Sequence, residues 1–97
     1  MHATARVNGT TIAETDAYKI VDGNVYFPPS SITKDNFSST ATHTTCPYKG
    51  KASYYTIEAG GHQLNDAAWY YPEPKSGFEK IRDYVAFYKG SVEVKAE

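Results

Sequence analysis

Apolar and polar side chains alternate over short runs in this chain, and small turn-forming dipeptides separate the runs. In ASYYTIEA, residues 52–59, Tyr55, Ile57 and Ala59 fall on one face and Tyr54, Thr56 and Glu58 on the other. In SVEVKA, residues 91–96, Val92 and Val94 oppose Glu93 and Lys95. Val85 and Phe87 oppose Tyr84, Ala86 and Tyr88, so both faces of that run are apolar. This predicts a central strand buried on both sides. In AAWYY, alternation sends Trp69 and Tyr71 to one face and Tyr70 to the other. A sheet with this pattern can carry a core on one face and an aromatic-lined pocket on the other.

The punctuation is that of hairpins. Asn8-Gly9 and Asp22-Gly23 favour type I′ turns, whose positive φ values match strand twist. Gly60-Gly61 is a third turn signal, and Lys89-Gly90 divides DYVAFY from SVEVKA as a fourth. Asp66, inside QLNDAAW, marks a bulge. Residues 28–43 lack a sustained period and are predicted irregular, with Ser30 or Ser31 capping one short turn. PEPKSG, residues 72–77, must leave the sheet. FEKIRD, residues 78–83, predicts one or two helical turns with Phe78 and Ile81 at i, i+3. The pattern predicts an all-β, meander-like fold of roughly seven or eight short strands, with one short helical turn.

Length and composition narrow the classes. Ninety-seven residues are expected to form a single domain, 1–97. The net charge is −1 and lysines alternate with acids. A nucleic-acid partner is therefore not expected, because it needs a basic stripe. No run of about 20 apolar residues exists, so no membrane-spanning helix is expected. The start, MHATARVNG, lacks the apolar region of a signal peptide. One cysteine cannot form an internal disulfide. These features predict a cytoplasmic protein with a reduced thiol, as a monomer or weak dimer.

The lone thiol lies in TTCPYKG, residues 44–50. Lys49 stands three residues after Cys46 and His43 three before, and either can favour the thiolate if the backbone bends toward the sulfur. The alternative is a small buried hydrophobe that anchors the loop. Pro47 biases Cys46 toward extended geometry and Gly50 permits a bend, which would aim Lys49 at a pocket mouth. His43-x-x-Cys46 has metal-ligand spacing, but structural zinc wants four ligands, usually with paired cysteines. Neither a metal nor a cofactor is expected. Glu14, Asp16 and Asp66 are candidates for acid/base work or, more simply, turn acids.

The motifs VNGTTIAET, VDGNVYFPP, TTCPYKGKASYY, NDAAWYYPEPK and VAFYKG occur in that order. Together they resemble domain of unknown function family 427, over nearly the whole chain from about Arg6 to Val94. The resemblance implies a β-tent-like fold of two antiparallel sheets. That group also holds methionine sulfoxide reductase B, yippee-type zinc domains and a cereblon-type ligand-binding domain. Many of those relatives carry paired CxxC zinc ligands, which this chain lacks. The family is also labelled a nucleotidyltransferase domain. The chain has neither a spaced Asp pair for Mg²⁺ nor a glycine-rich loop before a helix. Asp22 stands where the family pattern leads one to expect glutamate, and Tyr48 where tryptophan is frequent.

These readings converge on a metal-free binding module for a small molecule or modified residue. Its pocket is expected near the CPYKG loop, lined by Asp22, Tyr26, Lys49, Tyr54, Trp69 and Tyr71 beside Cys46. Two alternatives stay open. One is a thiol-dependent enzyme with Cys46 as catalytic nucleophile. The other is a structural or protein-interaction domain whose exposed rings meet another chain.

Overall fold

The computed structural model describes residues 1–97 and contains nine strands and three short 3-10 turns, with no α-helix. The strands are β1 (Ala3–Val7), β2 (Thr10–Thr15), β3 (Lys19–Val21), β4 (Asn24–Tyr26), β5 (Phe37–Cys46), β6 (Gly50–Ala59), β7 (His62–Tyr70), β8 (Ala86–Phe87) and β9 (Glu93–Ala96). Three of the four turn signals make hairpins. Asn8 and Gly9 have φ of 48° and 83°, Asp22 and Gly23 52° and 78°, Gly60 and Gly61 58° and 79°. These join β1 to β2, β3 to β4 and β6 to β7, all antiparallel.

The strands pair as β2-β1-β9, β3-β4 and β5-β6-β7-β8. Phe27 and Val85 exchange both backbone hydrogen bonds at 2.8 Å, which links the β3-β4 ribbon to β8. The ribbon and the four-stranded sheet thereby continue as one surface, and the expected two-sheet arrangement emerges from three hydrogen-bonded sets. The main core lies between this surface and the three-stranded sheet. Ala3, Ala5, Val7, Ile12 and Ala13 meet Phe27, Ile57, Ala68, Val85 and Phe87 there.

The opposite face of the larger surface carries a second core: Val21, Tyr26, Ala52, Tyr54, Tyr71, Ile81 and Ala86. Strand alternation explains the division. Tyr55, Phe27 and Phe87 turn toward the first core, while their neighbours Tyr54, Tyr26 and Ala86 turn toward the second. Val85, Ala86 and Phe87 are all buried, as a strand with two apolar faces requires.

Four sequence readings need correction. Residues 37–43, expected to be irregular, are the first part of β5. That strand is a sheet edge whose side chains are mostly exposed, so it has no hydrophobic period to read. Lys89-Gly90 does not close a hairpin, because β8 pairs with β7 and β9 with β1. Its turn instead gathers the N–H groups of Ser91 and Val92 onto the Tyr88 carbonyl, both at 3.0 Å, and carries the chain between sheets. The strands number nine, two more than the lower expected count, because very short pieces such as β8 and β3 pair separately. Finally, 3-10 turns occur at Pro29–Ser31 and Glu79–Ile81, where turns were expected, but neither Ser30 nor Ser31 caps the first, whose N-cap position is Pro28, and Lys34–Asn36 is an additional turn. The bulge at Asp66 is present: its φ is 52° and the β6-β7 register shifts between Tyr55 and Ile57.

The segment of residues 72–77 leaves the sheet as expected and returns as a strap over the β5-β6 turn. Lys75 donates its backbone N–H to the Lys49 carbonyl at 2.8 Å and its Nζ to the Pro47 carbonyl at 3.1 Å. This approach requires glycine at position 50. Its φ is 112°, and a Cβ there would stand 3.2 Å from the Glu73 carbonyl oxygen.

Two substitutions measure these contacts. Phe87→Ala empties a buried site between the sheets, where the ring packs edge-on to Phe27 at 5.4 Å. It is expected to lower unfolding free energy by about 3–5 kcal/mol in urea titrations; a loss below about 1 kcal/mol would mean the ring is not in the core. Gly50→Ala is expected to cost about 1–3 kcal/mol through backbone strain and the crowded strap. Wild-type stability in that variant would contradict the tight approach of Glu73.

Candidate functional site

Four separate segments build the cluster around the β5-β6 turn. The β3-β4 turn supplies Asp22 and β4 supplies Tyr26. The three-residue loop Pro47-Tyr48-Lys49 follows Cys46, and Cys46 pairs with Gly50 across it. Strand β6 supplies Tyr54, β7 supplies Trp69, and Tyr71 follows directly. Tyr54 and Trp69 are cross-strand partners, so their side chains emerge together on the second-core face.

Lys49 is the electrostatic centre. The residue is only 8 % exposed, rare for lysine, and its ammonium donates to the Asp22 carboxylate. The same nitrogen lies 5.3 Å from the centroid of the Phe78 ring. Hydrogen bonding to Asp22 holds the Lys49 pKa above the ordinary lysine value, so the charge is retained despite burial. Asp22 is the open half of the pair, with 67 % of its side chain exposed. Its backbone sits in the left-handed region at φ 52°.

Around this pair the rings are linked by their polar ends. Trp69 donates its Nε1–H to the Tyr26 hydroxyl at 3.4 Å, and the two rings meet edge-on at 6.5 Å. The Tyr54 hydroxyl bonds Thr44 Oγ1 at 2.8 Å and approaches the Tyr88 hydroxyl at 3.5 Å. Tyr88 also tilts against Trp69 at 4.8 Å. Burial raises the Tyr26 pKa, and it pushes Tyr71 up to about 12, with Tyr26, Cys46, Tyr54 and Tyr88 adding unfavourable charge proximity. Tyr88 also reaches about 12, first through its hydrogen bond with Tyr54. Tyr26, Tyr71 and Tyr88 are therefore neutral hydrogen-bonding groups near neutral pH.

Cys46 is partly buried and packs against this second core. The backbone N–H groups of Lys49 and Tyr48 face its sulfur and pull the thiol pKa below the ordinary value, with the Lys49 charge adding a smaller push in the same direction. The side chain thus packs against the core while the loop's backbone draws its thiol pKa down. His43 takes no part. It pairs with Ser53 and bonds the Ser53 hydroxyl and the Ala52 carbonyl, each at 3.3 Å. With Thr44 facing Tyr54, alternation turns His43 to the other side of β5 from Cys46. No group of three His, Cys, Asp or Glu side chains is arranged to hold a metal ion.

The structure therefore brings together Asp22, Tyr26, Cys46, Lys49, Tyr54, Trp69 and Tyr71. It does not open a preformed cavity among them. The chain's three cavities lie elsewhere, and the Lys49 ammonium is already held between the Asp22 carboxylate and the Phe78 ring. Lys49 also points to Asp22 and not to an open mouth. Phe78, Tyr88 and Thr44 belong to the cluster and were not anticipated. Tyr88 was legible from parity, because it shares a face with Ala86; Thr44 stood in the TTCPYKG stretch, where attention fell on Cys46 and Lys49. The acids elsewhere have structural partners. Glu14 and Asp16 hold the two nitrogens of His2 at 2.7 and 2.6 Å, raising its pKa, with Asp16 the larger influence. Asp66 accepts hydrogen bonds from Thr40 and Thr42, both at 2.8 Å.

No helix is long and apolar enough to cross a membrane. No curated protein matches the chain. A family model described as a domain of unknown function (DUF427) matches residues 1–97, the whole chain. The chain belongs to the DUF427 family.

Proposed function

We propose that the protein is a metal-free binding module whose ligand presents an anionic or carbonyl oxygen to Lys49 and an apolar or aromatic body to the surrounding rings. The supporting observation is the asymmetry of the Lys49–Asp22 pair. A buried ammonium is fixed by the fold, while its carboxylate partner stands on an exposed two-residue turn. In this reading Asp22 fills the seat in the free protein and a ligand carboxylate replaces it. The ammonium keeps a counter-charge throughout, so the exchange avoids leaving a buried cation unpaired. Trp69 and Tyr88 supply ring surface beside the seat, and the buried Tyr26 holds the Trp69 indole from behind.

The reading makes opposite demands on the two partners. With benzoate as probe, followed by the indole N–H resonance of Trp69, Lys49→Met is expected to weaken binding at least about tenfold, or 1.4 kcal/mol. Asp22→Asn, which tolerates the left-handed backbone, is expected to tighten binding by removing the competing carboxylate. Neutral benzyl alcohol is expected to bind much more weakly than benzoate to the wild type. Equal affinity of the two probes, or weaker benzoate binding in Asp22→Asn, would reject the exchange. Lys49→Ala is not a neutral probe, because it removes a buried stem from Phe78.

A second reading, a thiol-dependent enzyme, is favoured by the half-buried position of Cys46 and by the Lys49 and Tyr48 backbone, which lowers its thiol pKa. Iodoacetamide labelling of the native protein across pH is expected to show a midpoint below the free-cysteine value near 8.5, about as far as two neutral donors and a partly shielded lysine can move it. The thiolate fraction then rises with pH through that lowered midpoint. A midpoint at or above the free value, or labelling only on unfolding, would remove the support for a catalytic thiol.

A further inference from the structure

The Asp22–Lys49 cluster uses only one face of the larger sheet surface. Near its other face, the loop of residues 28–37 and the turn at Asp83 border a separate, open cavity of about 320 Å³. Its lining is Pro29, Ile32, Lys34, Phe37, Tyr55 and Asp83. The aromatic part is rigid. Phe37 meets Tyr55 edge-on at 5.5 Å, and Tyr55 stacks on Tyr70 at 4.5 Å with the planes 20° apart. Tyr70 and Tyr55 in turn pack against the main core.

The charged lining is of both signs and unpaired. Lys34 stands in the 3-10 turn Lys34–Asn36, and Asp83 follows the strap segment; both are exposed. The ion pairs of the protein are His2 with Glu14, His2 with Asp16, and Lys49 with Asp22, so neither Lys34 nor Asp83 is committed to one. Asp83 is held in place by an uncommon backbone. Its φ is 62°, and its N–H bonds the Tyr71 carbonyl at 3.1 Å, two residues before Val85 locks onto Phe27. Such a conformation outside glycine costs about 1–3 kcal/mol and persists where the surroundings over-determine it. The Asp83 carboxylate lies close enough to Tyr55 to contribute to that phenol's pKa of about 12, after burial and the neighbouring Tyr70. Its charge therefore lies near the aromatic wall.

We propose that this cavity is a binding site for a small amphoteric molecule, a free α-amino acid with a large apolar or aromatic side chain. Asp83 takes its ammonium, Lys34 takes its carboxylate, and Ile32, Phe37 and Tyr55 receive the side chain. Size is compatible with the class. Ligand sites run from about 300 to 1,000 Å³, and this cavity is at the lower end, where a single amino acid fits. Chemistry supports it too: an ammonium beside Asp83 also lies near aromatic faces that favour cations. The site stands apart from the Lys49 seat and does not depend on it.

The test uses the full chain, isotope-labelled, titrated with L-phenylalanine and followed by amide resonances. Saturable shifts are expected at Ile32, Lys34, Phe37, Tyr55 and Asp83. Phenylalaninamide, which lacks the carboxylate, and N-acetylphenylalanine, which lacks the ammonium, are each expected to bind at least about tenfold more weakly. Asp83→Asn keeps a residue that accepts left-handed backbone, and Lys34→Gln changes an exposed side chain. Each is expected to weaken phenylalanine binding by a similar factor while preserving the resonance dispersion of the fold. Absence of saturable shifts would overturn the proposal. So would equal binding of the three probes, unchanged affinity in both variants, or shifts confined to Lys49 and Trp69, which belong to the other seat.

Discussion

Strand β6 has two apolar faces, and the rest of the structure follows from the need to cover both. Tyr55 and Ile57 on one side and Ala52 and Tyr54 on the other cannot all meet a single core. The three-stranded sheet covers the first side with small residues, chiefly Ala3, Ala5 and Ala13, which let the layers approach closely. No second sheet is available for the other side. It is covered by the β5-β6 turn, the strap of residues 72–77 and the 3-10 turn Glu79–Ile81 that follows it. Covering a sheet with loops brings polar backbone and charged side chains into a buried zone, and these must find partners. Lys49 with Asp22, the Lys75 N–H with the Lys49 carbonyl, and the Tyr54 hydroxyl with Thr44 are those partners. The candidate site is thus a direct consequence of how the second face is closed.

Much of this was legible in the sequence. Parity alone divided Tyr54 from Tyr55 and Trp69 and Tyr71 from Tyr70, and the two cores respect that division. The dipeptides at Asn8, Asp22 and Gly60 specified their turns because positive φ is a local demand. Non-local demands were not legible. Strand β5 is held by its neighbour β6 and exposes most of its side chains, so nothing in its own pattern marked it. Lys89-Gly90 looks like a hairpin turn, yet its flanking strands are claimed by different partners. Local composition does not encode that choice.

The same contrast applies to the sites. Turn geometry and a few ring residues named the members of the Lys49 cluster. Its closed state depends on the reach of Asp22 across from another hairpin, a tertiary fact. The cavity beside Tyr55 depends on Asp83, whose left-handed backbone is set by contacts to Tyr71 and by the anchoring of Val85 on Phe27. The amphoteric lining arises from segments that carry no motif.

The central claim is that Asp22 is an exchangeable occupant of a seat built for an anion around Lys49. A crystal structure of the Asp22→Asn variant grown with benzoate tests it most directly. The account predicts a benzoate oxygen at about 2.7–2.9 Å from Lys49 Nζ, where the Asp22 carboxylate stood, with the ring against Trp69 or Tyr88. A Lys49 side chain swung into solvent, with no carboxylate at the seat and the rings closed over it, would contradict the account.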